Sequence, residues 1–331
     1  MTRMMMRHGR AGVRAPGCML MAAALSGVLA TPSAAQMVSI SETHALRADA
    51  TVELEVVVHG LVVESWSRNE IEVTGSYDPE VEELEVDAGN GSFRLSLEPV
   101  RRRGYEGRYE PGELRVRVPA GVTLSAETVS GGIGASGLSG GVRAESVSGG
   151  IEVSGNVTSL EVSSVSGALA YEGDTRSVEM ASVSGAVRFA GRAREVDVES
   201  VSGALRVEGS AEDVDVESVS GRIVIASDVP VRSLDVETVS GTIDFTGALA
   251  DGGSIRASSF SGSVDLALTS APSARVELET TSGGVRADLA GVAPAGERNL
   301  FGGQAMEFVV GGGAGTIQAS SFSGSVTIRE R

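Results

Sequence analysis

The sequence contains no lysine; its 27 basic residues are all arginine. That removes Schiff-base chemistry, a P-loop lysine and a Ser-Lys dyad from consideration. There is one cysteine, Cys18, so no intramolecular disulfide can form. Aromatic residues are 4% of the chain, and the histidines are His8, His44 and His59. His44 and His59 are too few for a site of their own and read as strand residues. Beyond the first 35 residues, no stretch approaches the ~20 apolar residues that a membrane span needs. No segment carries a helical period.

The first 35 residues have the layout of a secretory signal. Arg3, Arg7, Arg10 and Arg14 form a basic start, Cys18 to Ala30 is apolar, and Ser33-Ala34-Ala35 offers a small-residue cleavage site before Gln36. Export is therefore expected, to the periplasm or the cell surface. Cleavage would remove four arginines and no acid, taking the net charge from −17 to −21. It would also remove the cysteine. So acidic a chain lacks the basic footprint that nucleic acid or anionic lipid requires.

Glycine is abundant instead, at 44 residues, and it is periodic. Ser-Gly pairs follow Val129, Val147, Val165, Val183, Val201, Val219 and Val239, in five steps of 18 residues and one of 20. Phe260, Thr281 and Phe322 continue the series. Apolar residues fall at fixed offsets from each marker: Val196, Val198, Leu205 and Val207 about Val201, and Val214, Val216, Ile223 and Ile225 about Val219. A spacing of two means strands with one buried face. With the marker also counted as buried, alternation breaks just before it, at a Ser or Thr, and predicts a bulge or corner there. The glycine completes that corner, and Gly155, Gly173, Gly191 and Gly209 mark a second one.

The expected fold is all-β: a single-stranded right-handed β-helix, or β-solenoid, of about ten 18–21-residue coils. Five buried side chains contribute roughly 7–15 kcal/mol per coil. Ordering 18 residues costs about 27 kcal/mol, so a coil is stable only when stacked. Residues 36–125 read as a less regular β-rich entry and capping region. Residues 126–331 read as the solenoid, closed by a C-terminal capping coil.

Three features resemble a bacterial family of adhesin candidates with β-strand repeats, called toast-rack. They are Val118-Pro119-Ala120-Gly121-Val122-Thr123-Leu124 before the first regular coil, the serial Val-Ser-Gly units, and the closing Ser320-Ser321-Phe322-Ser323-Gly324-Ser325-Val326-Thr327-Ile328. Trp66, in Val-Glu-Ser-Trp-Ser-Arg, is similar to that family's early coil. The resemblance implies a right-handed β-helix, export to the cell envelope, and adhesion or envelope-stress roles. It brings no catalytic residues.

Two short motifs mimic enzymes. Gly137-Leu138-Ser139-Gly140-Gly141 fits a nucleophile elbow, and Gly132-Ile133-Gly134-Ala135-Ser136-Gly137 fits a dinucleotide fingerprint. Both need a strand followed by a helix, and both read here as glycine corners. Two other sets are better candidates. Asp197, Glu199, Asp215, Glu217, Asp235 and Glu237 lie between inward positions on three successive coils, and stacking would give two carboxylate ladders that could attract a weak Ca²⁺. Their other reading is a solvated acidic face. Arg101, Arg102, Arg103, Tyr105, Arg108 and Tyr109 form a basic, aromatic loop that could meet an anionic glycan or headgroup.

These features point to an exported, non-catalytic binding or structural module of the cell envelope. Its partner would be an envelope glycan or protein. A stress-sensing module acting through a partner protein is an alternative. A polysaccharide-active β-helix enzyme is a weaker one, because minimal coils leave little chain to build a catalytic groove.

Overall fold

The computed structural model describes residues 37–80, 82–100, 112–290, 297–298 and 303–331. Of the two units into which the chain divides, the second, Ala35–Arg331, holds all the described residues. The expected signal segment lies outside the described residues, as do Arg101, Arg102, Arg103, Tyr105, Arg108 and Tyr109. Every strand among the described residues belongs to the second unit.

Among the described residues there is no helix, and the alternating patterns of the sequence become strands. The entry region forms β1 (Val38–Ala45), β2 (Thr51–Val56), β3 (Gly60–Trp66), β4 (Glu70–Tyr77), β5 (Glu82–Ala88), β6 (Ser92–Pro99) and β7 (Glu113–Pro119). The first marker coils form β8 (Thr123–Thr128), β9 (Ile133–Ser136), β10 (Gly141–Ser146), β11 (Ile151–Ser154), β12 (Ser159–Ser164), β13 (Leu169–Asp174) and β14 (Ser177–Ser182). In the centre, strands run continuously around corners as β15 (Val187–Ser202), β16 (Leu205–Ser227), β17 (Val231–Gly247) and β18 (Leu249–Ser261). The last are β19 (Val264–Leu268), β20 (Ala274–Ser282), β21 (Val285–Asp288), β22 (Glu297–Arg298), β23 (Gln304–Val310), β24 (Gly315–Ser323) and β25 (Val326–Glu330).

Each coil gives one strand to each of two parallel ladders. The first ladder carries the segment before the marker, such as 195–200, and the second carries the segment after it, such as 205–208. The register advances by one repeat per coil: Val178 pairs with Val196, Val196 with Val214, and Val214 with Leu234. Inward residues from both ladders form one continuous core that includes Val196, Val198, Leu205, Val207, Tyr171, Phe189 and Phe245. This is a β-solenoid.

The order of coils departs from chain order at both ends. The coil of β2 and β3 lies between that of β6 and β7 and that of β8 and β9. The coil of β24 and β25 lies between that of β18 and β19 and that of β20 and β21. By its spacing alone, Phe322 marks the last coil of a simple series; in the structure that coil is inserted one place in. The outermost coils are then flanked by antiparallel strands. β5 pairs with β6, β4 with β7, β1 with β4, and β23 with β20. Antiparallel cover of this kind blunts edges that would otherwise recruit another chain.

One expectation is corrected. The marker residues do not point inward. Val201 is 48% exposed, and Val129, Val147, Val165, Val183, Val219, Val239, Phe260 and Phe322 are exposed with it. Alternation does not break before the marker. It continues through the Ser or Thr, so that Val196, Val198 and Ser200 all face inward. The hydroxyl is usable inside because the corner supplies partners. The Gly149 N–H donates to Ser146 Oγ at 2.8 Å, and Ser146 Oγ donates to the Gly131 carbonyl of the preceding coil at 3.4 Å. Ser164 repeats both bonds. Ser200 and Thr238 keep the position without a hydrogen-bond partner. From Val129 to Val219 the serine after each marker donates outside the core, as Ser148 Oγ does to the Val129 carbonyl at 3.0 Å. A Cβ on Gly149 would overlap the Gly131 carbonyl oxygen, which is why the corner requires glycine. At the second corner Gly191 has φ 152°, and its Cβ would overlap the Gly173 carbonyl oxygen.

Candidate binding groove

Because the markers face out, they stack into a column along the solenoid. The register places each beside its counterpart one coil away, for example through Ser200 with Ser218 and Ser202 with Ser220. Neighbouring strands lie ~4.8 Å apart, so the column presents one side chain per step. At its C-terminal end Phe260 and Phe322 stack face to face, with ring centroids 4.8 Å apart. These rings are 62 residues apart in sequence and meet only because the last coil is inserted.

The column floors a groove of about 1140 Å³ that runs from Glu98 on β6, in the outermost coil at one end, to Glu279 and Thr281 on β20, in the outermost coil at the other. The residue two before each marker forms its other wall. Those residues include Glu127, Glu145, Glu199, Glu217, Glu237 and Glu279. Among the described residues lining the groove none is arginine. Soluble proteins seldom expose an apolar strip of this length unless something covers it.

Three of the carboxylate positions expected from sequence belong to this wall. Glu199, Glu217 and Glu237 are in register, and Asp197, Asp215 and Asp235 form a parallel row beside them. Both ladders therefore form as the spacing required. Crowding shifts their protonation. Loss of solvation, then the carboxylates of Asp215, Glu199, Glu179 and Glu217, pushes Asp197 up to about 6. Loss of solvation also raises Asp215, helped by Asp235, Glu237 and Glu199. Glu217 rises for the same reasons, with Asp215 the largest charge acting on it. The row of aspartates ends at Arg256, whose Nη1 is 3.7 Å from Asp235. Among the described residues, no three or more His, Cys, Asp or Glu side chains gather as they would around a metal ion.

Arginine reaches the groove wall only towards its β2 end, where Arg94 lies 3.8 Å from Glu55 and Arg143 pairs with Glu145, among the described residues. Arg188 and Arg206 both reach Glu208 on the second ladder, at 3.0 and 2.7 Å. Arg117 lies 3.7 Å from Glu64 and 3.2 Å from Glu72 in the entry region, and Arg143 bridges Glu145 and Glu161. No arginine pairs with Glu199, Glu217 or Glu237 among the described residues.

Two further positions differ from what the sequence implies or sharpen it. His59 is fully buried, and its Nε2 lies 2.7 Å from Glu82 Oε1. The Gly112 N–H donates to His59 Nδ1 at 2.9 Å, so the ring proton sits on Nε2 and is donated to Glu82. Glu82 also accepts the Asp78 N–H at 3.1 Å. This is a structural clamp between entry strands, not a plain strand position. His44 contacts Glu42 at 3.1 Å on the surface. Ser139, within the G-x-S-x-G stretch, donates to the Ala120 carbonyl at 3.1 Å in a corner between β9 and β10, with no helix after it.

Residues 49–329 match the Toastrack DUF4097 family, and the chain belongs to that family. No protein of curated function matches it. Among solved structures it is similar to a candidate adhesin from Parabacteroides merdae, at 13% identity over 64% of this chain and 90% of that one, with a TM-score of 0.46. A candidate adhesin from Bacteroides fragilis matches at 12% identity over 88% of this chain and 97% of that one, with a TM-score of 0.34. A candidate lipid-binding protein from Parabacteroides distasonis matches at 13% identity over 88% and 96%, with a TM-score of 0.26.

Proposed function

We propose that this chain is an exported, non-catalytic binding module of the bacterial cell envelope, and that it holds its partner along the valine-floored groove. The observation that carries this reading is the unbroken column of exposed apolar markers from Val129 to Phe322. Such a strip lowers solubility, and it is repeated in every marker coil but that of Thr281. A binding role accounts for it, because covering apolar surface drives association. Catalysis needs groups held in different environments. The groove instead repeats the same few side chains. The basic start and apolar stretch of residues 1–35 support export.

The test has two parts. Expressed from its whole sequence in a bacterial host, the protein should fractionate outside the cytoplasm. Purified, it should co-sediment with isolated bacterial envelopes, and a Val183→Ser, Val201→Ser, Val219→Ser variant should not, while keeping its β-type circular dichroism. Retention in the cytoplasm, or unchanged co-sedimentation of the variant, would overturn the reading.

A further inference from the structure

We infer that the groove is built for a cationic amphipathic helix of a polypeptide partner, with the helix's apolar stripe on the valine column and its basic flank against Glu199, Glu217 and Glu237. This deepens the proposed function and rests on its assignment of the groove as the binding face.

The side chains decide the chemistry. The floor is aliphatic and offers contact but no hydrogen bonds. Apart from Ser163, Ala181, Ser258 and Ser320, the wall offers carboxylates, which accept hydrogen bonds and donate none. Of the hydroxyls at the base, Ser146 and Ser164 bond to the corner backbone, and the two without a partner, Ser200 and Thr238, are buried beneath the column. A glycan would find few free donors and, except at Phe260 and Phe322, no aromatic platform. An anionic lipid headgroup or a second copy of this acidic chain would bring like charge to the glutamates. A cationic, apolar ligand satisfies both surfaces. It also relieves the crowding within the carboxylate ladder, where loss of solvation and then the neighbouring acids already push the Glu217 carboxyl up.

The spacing selects a helix. The column repeats every ~4.8 Å. A helix repeats its stripe every ~5.4 Å, whereas an extended strand places successive same-side residues ~6.8 Å apart. A helix therefore stays near register over several coils and a strand does not. The five steps from Val147 to Val239 span roughly 24 Å, the length of about 16 helical residues. Marker and glutamate are two strand residues apart, roughly 7 Å, which suits the apolar stripe and basic flank of one helix.

The test measures fluorescence anisotropy of labelled peptides of about 18 residues with the full protein at about 0.15 M NaCl. One peptide has leucine at helical spacing with lysine on the flanks. A second has the same composition in strict alternation. A third replaces lysine by glutamate, and a fourth replaces it by glutamine. The Leu/Lys helix should bind, and each of two variants should weaken it at least about tenfold. One is Val183→Ser, Val201→Ser, Val219→Ser. The other is Glu199→Gln, Glu217→Gln, Glu237→Gln. A control, Glu152→Gln, Glu172→Gln, Asp228→Asn, removes as many charges outside the groove and should change binding less than about twofold. The Leu/Glu helix should not bind, and the alternating peptide should bind more weakly.

Equal losses in the glutamate variant and the control would overturn the inference, since net charge alone would explain binding. Equal affinity of the alternating peptide would overturn the helix. If the glutamine helix binds, and only the valine variant weakens it, the cationic requirement falls while the groove stands as the binding face. If no peptide binds yet the valine variant loses envelope co-sedimentation, this inference alone fails. If neither effect is seen, both readings fail.

Discussion

The middle of the solenoid and its two ends are built from the same coil but solve different problems. In the middle, from β10 to β17, chain order equals stacking order, and each coil meets only its sequence neighbours. At each end one coil is threaded out of order. β2 and β3 form an inner coil before the outermost coil of β6 and β7 is added. At the other end the outermost coil of β20 and β21 is reached before β24 and β25 fill the gap beneath it. The middle can grow step by step, as repeat proteins do. The ends need contacts across long stretches of chain, such as Ile255 with Ile317, and those carry a higher entropic cost of closure. Regularity thus serves length, and irregularity serves closure.

The largest expected effect tests that contrast directly. Deleting residues 315–331 removes β24 and β25, on which β18, β19, β20 and β21 all pair. The C-terminal coils should then lose cooperative melting and become sensitive to protease. Deleting the interior coil 195–212 removes a comparable length but rejoins residues in the same register. That variant should stay folded, with a shorter rod by small-angle scattering. Comparable damage from the two deletions would show that the ends have no special role.

Next in size is a pair of substitutions within one coil of the middle. Val198 is 1% exposed, so Val198→Asp buries an unpaired charge and should cost several kcal/mol. Val201 is 48% exposed, so Val201→Asp should change stability by about 0.5 kcal/mol or less. Urea denaturation of the two variants checks this. Similar midpoints would mean that the markers are not on the surface.

A smaller effect separates the unpaired acids of the middle from the arginine-paired acids of the entry region. Asp197 holds its proton up to about pH 6 in the folded state, against 3.8 for an ordinary aspartate. Between those values the folded form binds more protons, so stability falls as pH rises through 6. Lowering the pH from about 7.5 to about 5.5 should stabilise the fold by less than about 1 kcal/mol, since the group is exposed, and so raise the melting temperature slightly. Asp197→Asn should remove that rise, and scanning calorimetry would show it. A rise that survives the substitution would assign it to other groups.

The smallest effect concerns cations. A calcium site on the carboxylate ladders would make millimolar CaCl₂ raise the melting temperature more than NaCl of equal ionic strength. With no gathered set of three ligands among the described residues, equal shifts are expected, from screening alone. A calcium-specific shift lost in Asp215→Asn, Glu217→Gln would support the metal reading.

The middle is the legible part. Offsets such as Val196, Val198, Leu205 and Val207 are buried as their spacing requires, and the carboxylate ladders align. The marker is misleading because valine is apolar and serine is not, so hydrophobicity outweighs alternation. A better signal is present in the sequence. The position before the marker is only ever Ser or Thr, from Thr128 to Ser321, as expected of a hydroxyl that a corner needs. The groove is hidden for the same reason, since turning the markers outward is what creates it. The inserted coils are not legible, because a coil carries the same pattern wherever it stacks. Nor is the His59–Glu82 clamp, whose partners are 23 residues apart, one in the bend between β2 and β3 and one at the start of β5.

The 18-residue coil also makes the reach of the binding face a matter of copy number. Duplicating one interior unit in the gene would add one valine to the floor and one residue to the wall, extending the groove by ~4.8 Å. Both closed ends would remain unchanged. The length of ligand accommodated can therefore change in single steps by unequal recombination, without any new surface having to be invented.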